Sequence, residues 1–440
     1  MDPITLSLVT VGLLLALIGL GLPIAYSLAI ATLVMMAISG EAEQALFIAE
    51  SAFQSLDSIE LVALPMFIFM GAVIAISPAG KDIYRALHRL LPVPGGLGVS
   101  AVGGCTLFSS MSGSSPATVA AIGSSAVPEM IARGYPPALA CGIVVGGGTL
   151  GILTPPSIVL LLYGVVTNTS IGQLFMAGIL PALMVAALFS AYTVWSMWRF
   201  EKANPQIRQA MLERDRSESE APLALLRVVP FFVMILVIMT ALYGGWATPS
   251  EIAAVGAMAS IALVLAIYRV TDLHLWKTLL LKTVRDTSMI LVIAAFSYYL
   301  AQFLSYHGAV TAISEGLIGT FGNKWLTLLA LWLMMVAIGC FLPPFAIVVI
   351  VAPMFLPFVL EAGFDPIWFG VLITLNMEIG CITPPLGINL FVVKGIAPQL
   401  PMRDIMLGSL PFVAILVVAS LLLVLFPQIA LWLPKTMMGS

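Results

Sequence analysis

The chain has 440 residues, 61% of them hydrophobic and 9% charged, with a formal net charge of −3. Soluble domains carry about 25% charged residues; a mean hydropathy of +1.11 with apolar stretches from end to end excludes that class and indicates an all-α polytopic membrane protein. The mild acidity, spread over loops, argues against a nucleic-acid partner, and Cys105, Cys141, Cys340 and Cys381 lie in apolar segments with no CxxC pair, as small core residues rather than disulfides or metal ligands.

The opening MDPITLSLVTVGLLL has no basic n-region and reads as a retained first span rather than a cleaved signal. The apolar run Ile4–Ser39 is interrupted at Gly19–Pro23, giving two spans of about 17 residues, the short end of what crosses a bilayer. A third span covers Leu61–Ser77. KDIYRALHRLL (Lys81–Leu91) has basic and apolar faces and suits a helix lying flat at the inner interface. Leu97–Met111 and Ala117–Ala132, two arms of about 15 residues around SGSSP, are short for crossings and predict a re-entrant hairpin over 97–132. The run 138–166 is stopped mid-way by the paired prolines of GILTPPS, which remove backbone donors, so it reads as a broken helix. Leu174–Trp198 closes the first half. The charged stretch 199–222 reads as a solvated cytoplasmic linker.

The second half repeats the order. Val228–Tyr268 is interrupted at GGWATP. LHLWKTLLLKTV (Leu273–Val284) reads as a second flat interfacial helix, followed by a span over Thr287–Tyr306. Trp325–Gly339 and Ala346–Glu361, around CFLPP, form a hairpin over 325–361. The run 367–396 is broken at GCITPPLG, and Ile405–Trp432 is the last span.

The likeness is in register. At an offset of 229 residues Pro128 falls on Pro357, Gly134 on Gly363, Pro137 on Pro366 and Gly151 on Gly380, and Thr154, Pro155 and Pro156 fall on Thr383, Pro384 and Pro385. The chain is therefore read as a tandem duplication, 1–198 and 223–440. Each half makes five crossings if the hairpins contribute none, and an odd number forces the copies to enter from opposite sides as inverted repeats. With both termini outside, sixteen of the eighteen Lys and Arg fall on the inner side, Lys324 and Lys435 being the two outside, while Gly40–Glu60 holds five acidic residues and no basic one. This is the bias expected of a cytoplasmic face.

Interrupted backbone at membrane depth is costly unless it faces protein, water or a ligand. Paired breaks and hairpin tips in an inverted repeat are how secondary transporters bind ions and substrate near the midplane. Hydroxyls stand at both elements: Ser112, Ser114, Ser115 and Thr118 at the first tip, Thr154 and Thr383 at the breaks. Oxygen ligands of this kind suit Na⁺ rather than a transition metal. Taken singly, such a Ser or Pro usually marks a kink or a packing contact; repetition in register is what points to function. Asn376 and Glu378 lie inside an apolar helix just before the second break. A buried carboxylate there is a functional candidate, although an interhelical hydrogen bond would also explain it. Asn389 lies just after the break, within reach of a substrate. The substrate set is therefore Ser114, Ser115, Thr118, Pro155, Asn376, Glu378, Pro384 and Asn389. His88, His274 and His307 fall in or beside loops, and none is placed as a general base at depth.

SGSSPATVAAIGS, GYPPALACGIVVGGGTLGILTPPS, GGWATPSEIAAVGA and GFDPIWFGVLITLNMEIGCITPPLGINLFVV together resemble the large membrane subunit of tripartite ATP-independent periplasmic (TRAP) transporters, over essentially the whole chain. The resemblance implies uptake of a small organic acid in the bacterial cytoplasmic (inner) membrane, driven by Na⁺ as coupling ion, two or more per cycle, with no organic cofactor. It implies a periplasmic substrate-binding protein and a small four-helix membrane subunit, the latter expected as a separate chain. It also implies elevator-like movement of hairpins and broken helices against a scaffold in contact with membrane lipid. Carried over, Na⁺ ligation falls on Ser112, Gly113 and Ser114 with Gly151 and Thr154, and on Gly339 and Pro343 with Gly380 and Thr383. One departure stands out: many members carry an acidic residue in the second tip, where this chain reads GCFLPPFA.

Other classes fit less well. An intramembrane protease needs a His, Lys or Asp partner at depth, and a primary pump needs a nucleotide motif; GxxxxGK[ST] is absent from the sequence. A channel also uses re-entrant loops. A dicarboxylate or citrate symporter working without a binding protein is the nearest alternative.

Overall fold

The computed structural model describes residues 2–90, 95–205, 221–308, 312, 316, 322–385 and 387–438. Among them there is no strand, and the helices follow the apolar runs. The first half comprises α1 (Pro3–Gly19), α2 (Ile24–Ile38), α3 (Ile48–Leu56), α4 (Ala63–Ala75), α5 (Ala79–Leu90), α6 (Gly96–Ser112), α7 (Ser115–Ala132), α8 (Pro137–Leu153), α9 (Ile158–Thr167) and α10 (Ile171–Ala203). The second comprises α11 (Ala221–Tyr243), α12 (Pro249–Leu263), α13 (Leu273–Tyr306), α14 (Lys324–Gly339), α15 (Pro344–Glu361), α16 (Pro366–Ile382), α17 (Ile388–Ile396), α18 (Met402–Leu425) and α19 (Gln428–Met438). Among the described residues seven helical stretches are long and apolar enough to cross a bilayer, or eight if the stretch bent by 69° between α3 and α4 counts as one; α1 and α2, at 17 and 15 residues, are the short pair expected.

The helix boundaries have local causes. Asp2, Ser157, Ser170, Asp272, Asn323 and Asp365 each accept a backbone N–H at a helix start, and Thr248 with Glu251 forms a capping box on α12, satisfying donors that have no partner inside a helix. The arms α6–α7 and α14–α15 fall where the two hairpins are expected, and the breaks fall at 154–157 and 383–387. The X-Pro bonds Pro155–Pro156 and Pro384–Pro385 are both cis.

Two expectations are corrected. Leu273–Val284 is not a separate flat helix: it is the leading part of α13, a continuous helix of 34 residues. No Gly or Pro lies between Leu273 and Tyr306 to stop it, whereas α3 and α4 are parted at Asp57–Ser58 and α5 starts afresh after Pro78. The last span is not one helix either, because Pro427 separates α18 from α19. The central part of the expected linker, residues 206–220, lies outside the described residues; its first residues continue α10.

The halves interlock. α8 packs on α6 and α7 and crosses to α18, while α16 packs on α14 and α15 and crosses to α10. α9, beyond the first break, packs on α15 of the second hairpin; α17, beyond the second break, packs on α7 of the first. The α8–α18 crossing is a backbone contact: a methyl on Gly142 or on Gly408 would overlap the main chain of Gly408 or Ala138 respectively. Close approach of this kind is what small residues permit between membrane helices. At the edge of this block, α5 sits between the first hairpin and α11. The Tyr268 hydroxyl, just past α12, donates to Asp82 of α5 at 3.0 Å.

Candidate functional site

The site is built where the two tips meet the two breaks. α6 ends at Ser112 and α7 begins at Ser115. Gly113 turns the chain with φ +58°, a left-handed conformation that favours glycine, and a side chain there would strike the Pro156 carbonyl. Across the gap, a Cβ on Gly151 would lie 2.6 Å from the Ser114 carbonyl carbon. The first tip therefore rests on the first break by backbone contact alone. The second does the same: a Cβ on Gly380 would lie 2.6 Å from the Gly339 carbonyl carbon. Gly151 and Gly380 are one of the two glycine pairs, with Gly134 and Gly363, that coincide at the 229-residue offset.

The first tip is a nest of oxygens. The Thr118 hydroxyl donates to the Ser114 carbonyl at 2.9 Å and lies 3.0 Å from the Ser112 hydroxyl and 3.4 Å from that of Ser109. Ser112 and Thr118 are buried. Hydroxyl and carbonyl oxygens without a carboxylate or imidazole are a donor set for a small hard cation. Among the described residues no three His, Cys, Asp or Glu side chains gather as a metal cluster. Ser115 and Asn389 lie together, buried: the Asn389 amide donates to the Ser115 hydroxyl at 2.8 Å and to the Val145 carbonyl at 3.2 Å, and the Ser115 hydroxyl lies 3.1 Å from Asn389 Oδ1. Ser157 caps α9, accepting from the Leu160 N–H and donating to the Ile152 carbonyl.

The second tip is built differently. Cys340–Pro343 connect α14 to α15, four residues against two in the first hairpin. They offer Phe341, Leu342 and Pro343 in place of hydroxyls. A cavity of about 490 Å³ opens there, lined by Gly339, Phe341, Pro343, Gly380, Gly387 and Phe391 among others. The Thr383 hydroxyl donates to the Ile379 carbonyl at 2.6 Å, inside its own helix. Pro155 and Pro156 are buried, whereas Pro384 is half-buried and Pro385 exposed: the first break is covered and the second uncovered.

Asn376 and Glu378 are fully buried but do not line this cavity. The Asn376 amide donates to the Trp332 carbonyl at 2.9 Å, fastening α14 to α16. Its Oδ1 and both Glu378 oxygens have no hydrogen-bond partner. The Thr154 hydroxyl is also buried without a partner. Sequence reasoning missed Ser109, the Pro156 carbonyl, and Tyr163, whose hydroxyl donates to the Pro366 carbonyl at 2.7 Å across the halves. Ser109 could have been found as a hydroxyl one turn before Ser112; a main-chain carbonyl leaves no mark in a sequence.

Residues 11–429 match the family model of the tripartite ATP-independent periplasmic transporter, DctM component. The chain belongs to this family. It is 35% identical over 384 residues to the C4-dicarboxylate TRAP transporter large permease protein DctM of Pseudomonas aeruginosa, covering 87% of this chain and 88% of that one. It is 33% identical over 387 residues to the ectoine/5-hydroxyectoine TRAP transporter large permease protein UehC of Ruegeria pomeroyi, covering 85% of each. Its fold is that of the Alcanivorax borkumensis YdaH transporter in a crystal structure, with a TM-score of 0.59 and 14% identity over 90% of each chain. This DctM-family chain is therefore a multi-pass membrane permease among permeases, not a hydrolase with serines at depth.

Proposed function

We propose that the chain is the transporting subunit of a Na⁺-coupled importer that takes an organic acid from a periplasmic binding protein and works beside a small four-helix membrane subunit. Its halves are inverted repeats with re-entrant hairpins, set in the cytoplasmic membrane with both termini outside. The observation that carries this reading is the paired backbone contact: each hairpin tip rests on a helix break through a glycine that leaves no room for a methyl group. Four interrupted segments converge, and free carbonyls at half-helix ends can take a cation while free N–H groups take an anion.

The difference between the breaks supports alternating access. Na⁺ would be held at the oxygens of Ser112, Ser114, Thr118 and Thr154, and by the main chain around Gly339 and Gly380 with Thr383. The cavity beside the second break supplies the open side. In an elevator, α6–α9 and α14–α17 move as one block against α11–α13, and the second break closes as the first opens.

The deciding experiment is uptake into proteoliposomes holding this chain and its small subunit. Saturable acid uptake that needs both an inward Na⁺ gradient and the added binding protein is the expected result. Uptake without the binding protein would favour the simple symporter, ohmic current a channel, and no Na⁺ dependence would refute the coupling.

A further inference from the structure

α10 runs for 33 residues, about 50 Å at 1.5 Å per residue, against about 30 Å of hydrocarbon and about 40–45 Å with both headgroup layers. The surplus at its ends therefore reaches the headgroup layers. Its last turns carry Trp195, Trp198, Arg199 and Lys202, whose spacings put all four on one helix face. Trp195 and Trp198 are 51% and 52% exposed, and Arg199 and Lys202 are exposed as well. Thr193 and Met197, on the opposite face, are buried.

The four side chains form two pairs. The Arg199 guanidinium lies 5.0 Å from the centre of the Trp195 ring and the Lys202 ammonium 5.3 Å from that of Trp198, each cation held by the electron-rich ring face. Tyr192 stands 6.0 Å behind Trp195 and packs edge-on against Phe412 of α18 at 5.3 Å, which ties the cluster to the core. Other basic side chains are committed to protein groups. Arg133 pairs with Glu129 at 2.9 Å and Arg227 with Asp82 at 4.0 Å, while Lys394 donates to the Pro398 and Leu400 carbonyls at 2.8 and 2.6 Å. Among the described residues Arg199 and Lys202 have neither ion pair nor hydrogen bond, only the rings. The tryptophans divide in the same way. Trp246, Trp325 and Trp432 are exposed but fall on the outer side of the proposed topology, and Trp276 gives its indole N–H to the Val270 carbonyl at 2.8 Å. Trp195 and Trp198 are thus the exposed indoles of the inner side.

We propose that this face of α10 binds an anionic phospholipid of the inner leaflet, its phosphate between Arg199 and Lys202 and its acyl-glycerol part against Trp195 and Trp198. Two uncommitted cations one turn apart match a phosphodiester. Two rings with an apolar body and an N–H suit the ester region beside it, where acyl chain and carbonyl meet. A soluble anion would use the cations and leave the rings without a partner. The site goes beyond the transport reading and takes from it only the topology, so it stands whether or not Na⁺ drives uptake.

The test titrates the purified permease, with its small subunit, with two phospholipids of identical chains, one bearing phosphoglycerol and one phosphocholine, and reads thermal stabilisation. At about fivefold per cation, the anionic lipid is expected to act at a concentration about twentyfold lower. Arg199→Gln with Lys202→Gln is expected to remove that advantage, and mass spectrometry of the purified variant to count one anionic lipid fewer. Trp195→Leu with Trp198→Leu, which keeps the charge, is expected to weaken the anionic lipid about tenfold. Lys277→Gln with Lys282→Gln, the same charge change at exposed positions of α13, is expected to leave the titration unmoved. Equal action of the two lipids, an unchanged lipid count, or equal losses from the two glutamine variants overturns the proposal, the last by showing surface charge without a site. Protection by glycerol 1-phosphate at the lipid's own concentration would mark a soluble-anion site. Lipid binding by the permease alone but not with its small subunit would show that the subunit covers this face. Either result overturns the lipid assignment.

Discussion

Asn389, just beyond the second break, is hydrogen-bonded to Ser115, which opens the second arm of the first hairpin 274 positions earlier, through contacts of 2.8 and 3.1 Å. The same amide holds the Val145 carbonyl of α8. One side chain thus joins the first hairpin, the first broken helix and the second broken helix in a fully buried junction.

Truncating that amide leaves both Ser115 and the Val145 carbonyl short of a partner, each costing about 1–3 kcal/mol. Asn389→Ala is expected to lower thermal stability by about 2–4 kcal/mol. A double-mutant cycle with Ser115→Ala is expected to show coupling of about 1 kcal/mol or more. Additive effects, read by thermal unfolding of the purified protein, would show that the contact carries no energy.

The tip contacts leave no space for one carbon. Gly151→Ala and Gly380→Ala push the Ser114 and Gly339 backbone away and are expected to cut uptake more than tenfold at normal membrane expression, because misplacement of about 1 Å at a site of this kind costs about 10²-fold. Gly395→Ala, with nothing within 4 Å of the added methyl, is the control and is expected to transport normally.

The two break threonines separate ion binding from folding. Thr383→Val removes only a bond within its own helix, and Thr154→Val removes a hydroxyl that has no protein partner, so both variants are expected to fold with stability changed by less than about 1 kcal/mol. Each is expected to raise the Na⁺ concentration for half-maximal uptake about tenfold, the value of one lost oxygen ligand of hydrogen-bond strength. An unmoved Na⁺ titration removes that threonine from the ion site.

Orientation can be read directly. In a background with the four native cysteines replaced, Glu43→Cys is expected to react with an impermeant maleimide in intact cells, and Lys277→Cys only after the inner face is opened. The opposite pattern would invert the proposed topology, with both termini inside.

The broken helices and hairpins were legible in the sequence because proline and glycine act on the backbone itself. Pro155 and Pro384 each open a pair of prolines that ends its helix, whereas single prolines such as Pro181 and Pro411 are carried inside helices, and Gly151 and Gly380 keep register at one offset. What escaped depended on distance in the chain or on an absence. The continuity of α13 follows from the lack of a breaker between Leu273 and Tyr306, and an amphipathic stretch at its start gives no sign of that. The separation of α18 and α19 rests on Pro427, a single breaker near the end of an otherwise apolar run. The Asn389–Ser115 junction joins residues whose proximity only the folded halves create.

The unequal connectors give the two tips unequal backbone freedom. Gly113 and Ser114 leave the first bight four backbone torsions, whereas Cys340 to Pro343 give the second up to eight, less the one fixed by the proline ring. The short bight is held by the Ser112 and Thr118 hydroxyls, and the longer one borders a cavity with Phe341. On the transport reading proposed above, the longer connector is the one expected to yield first.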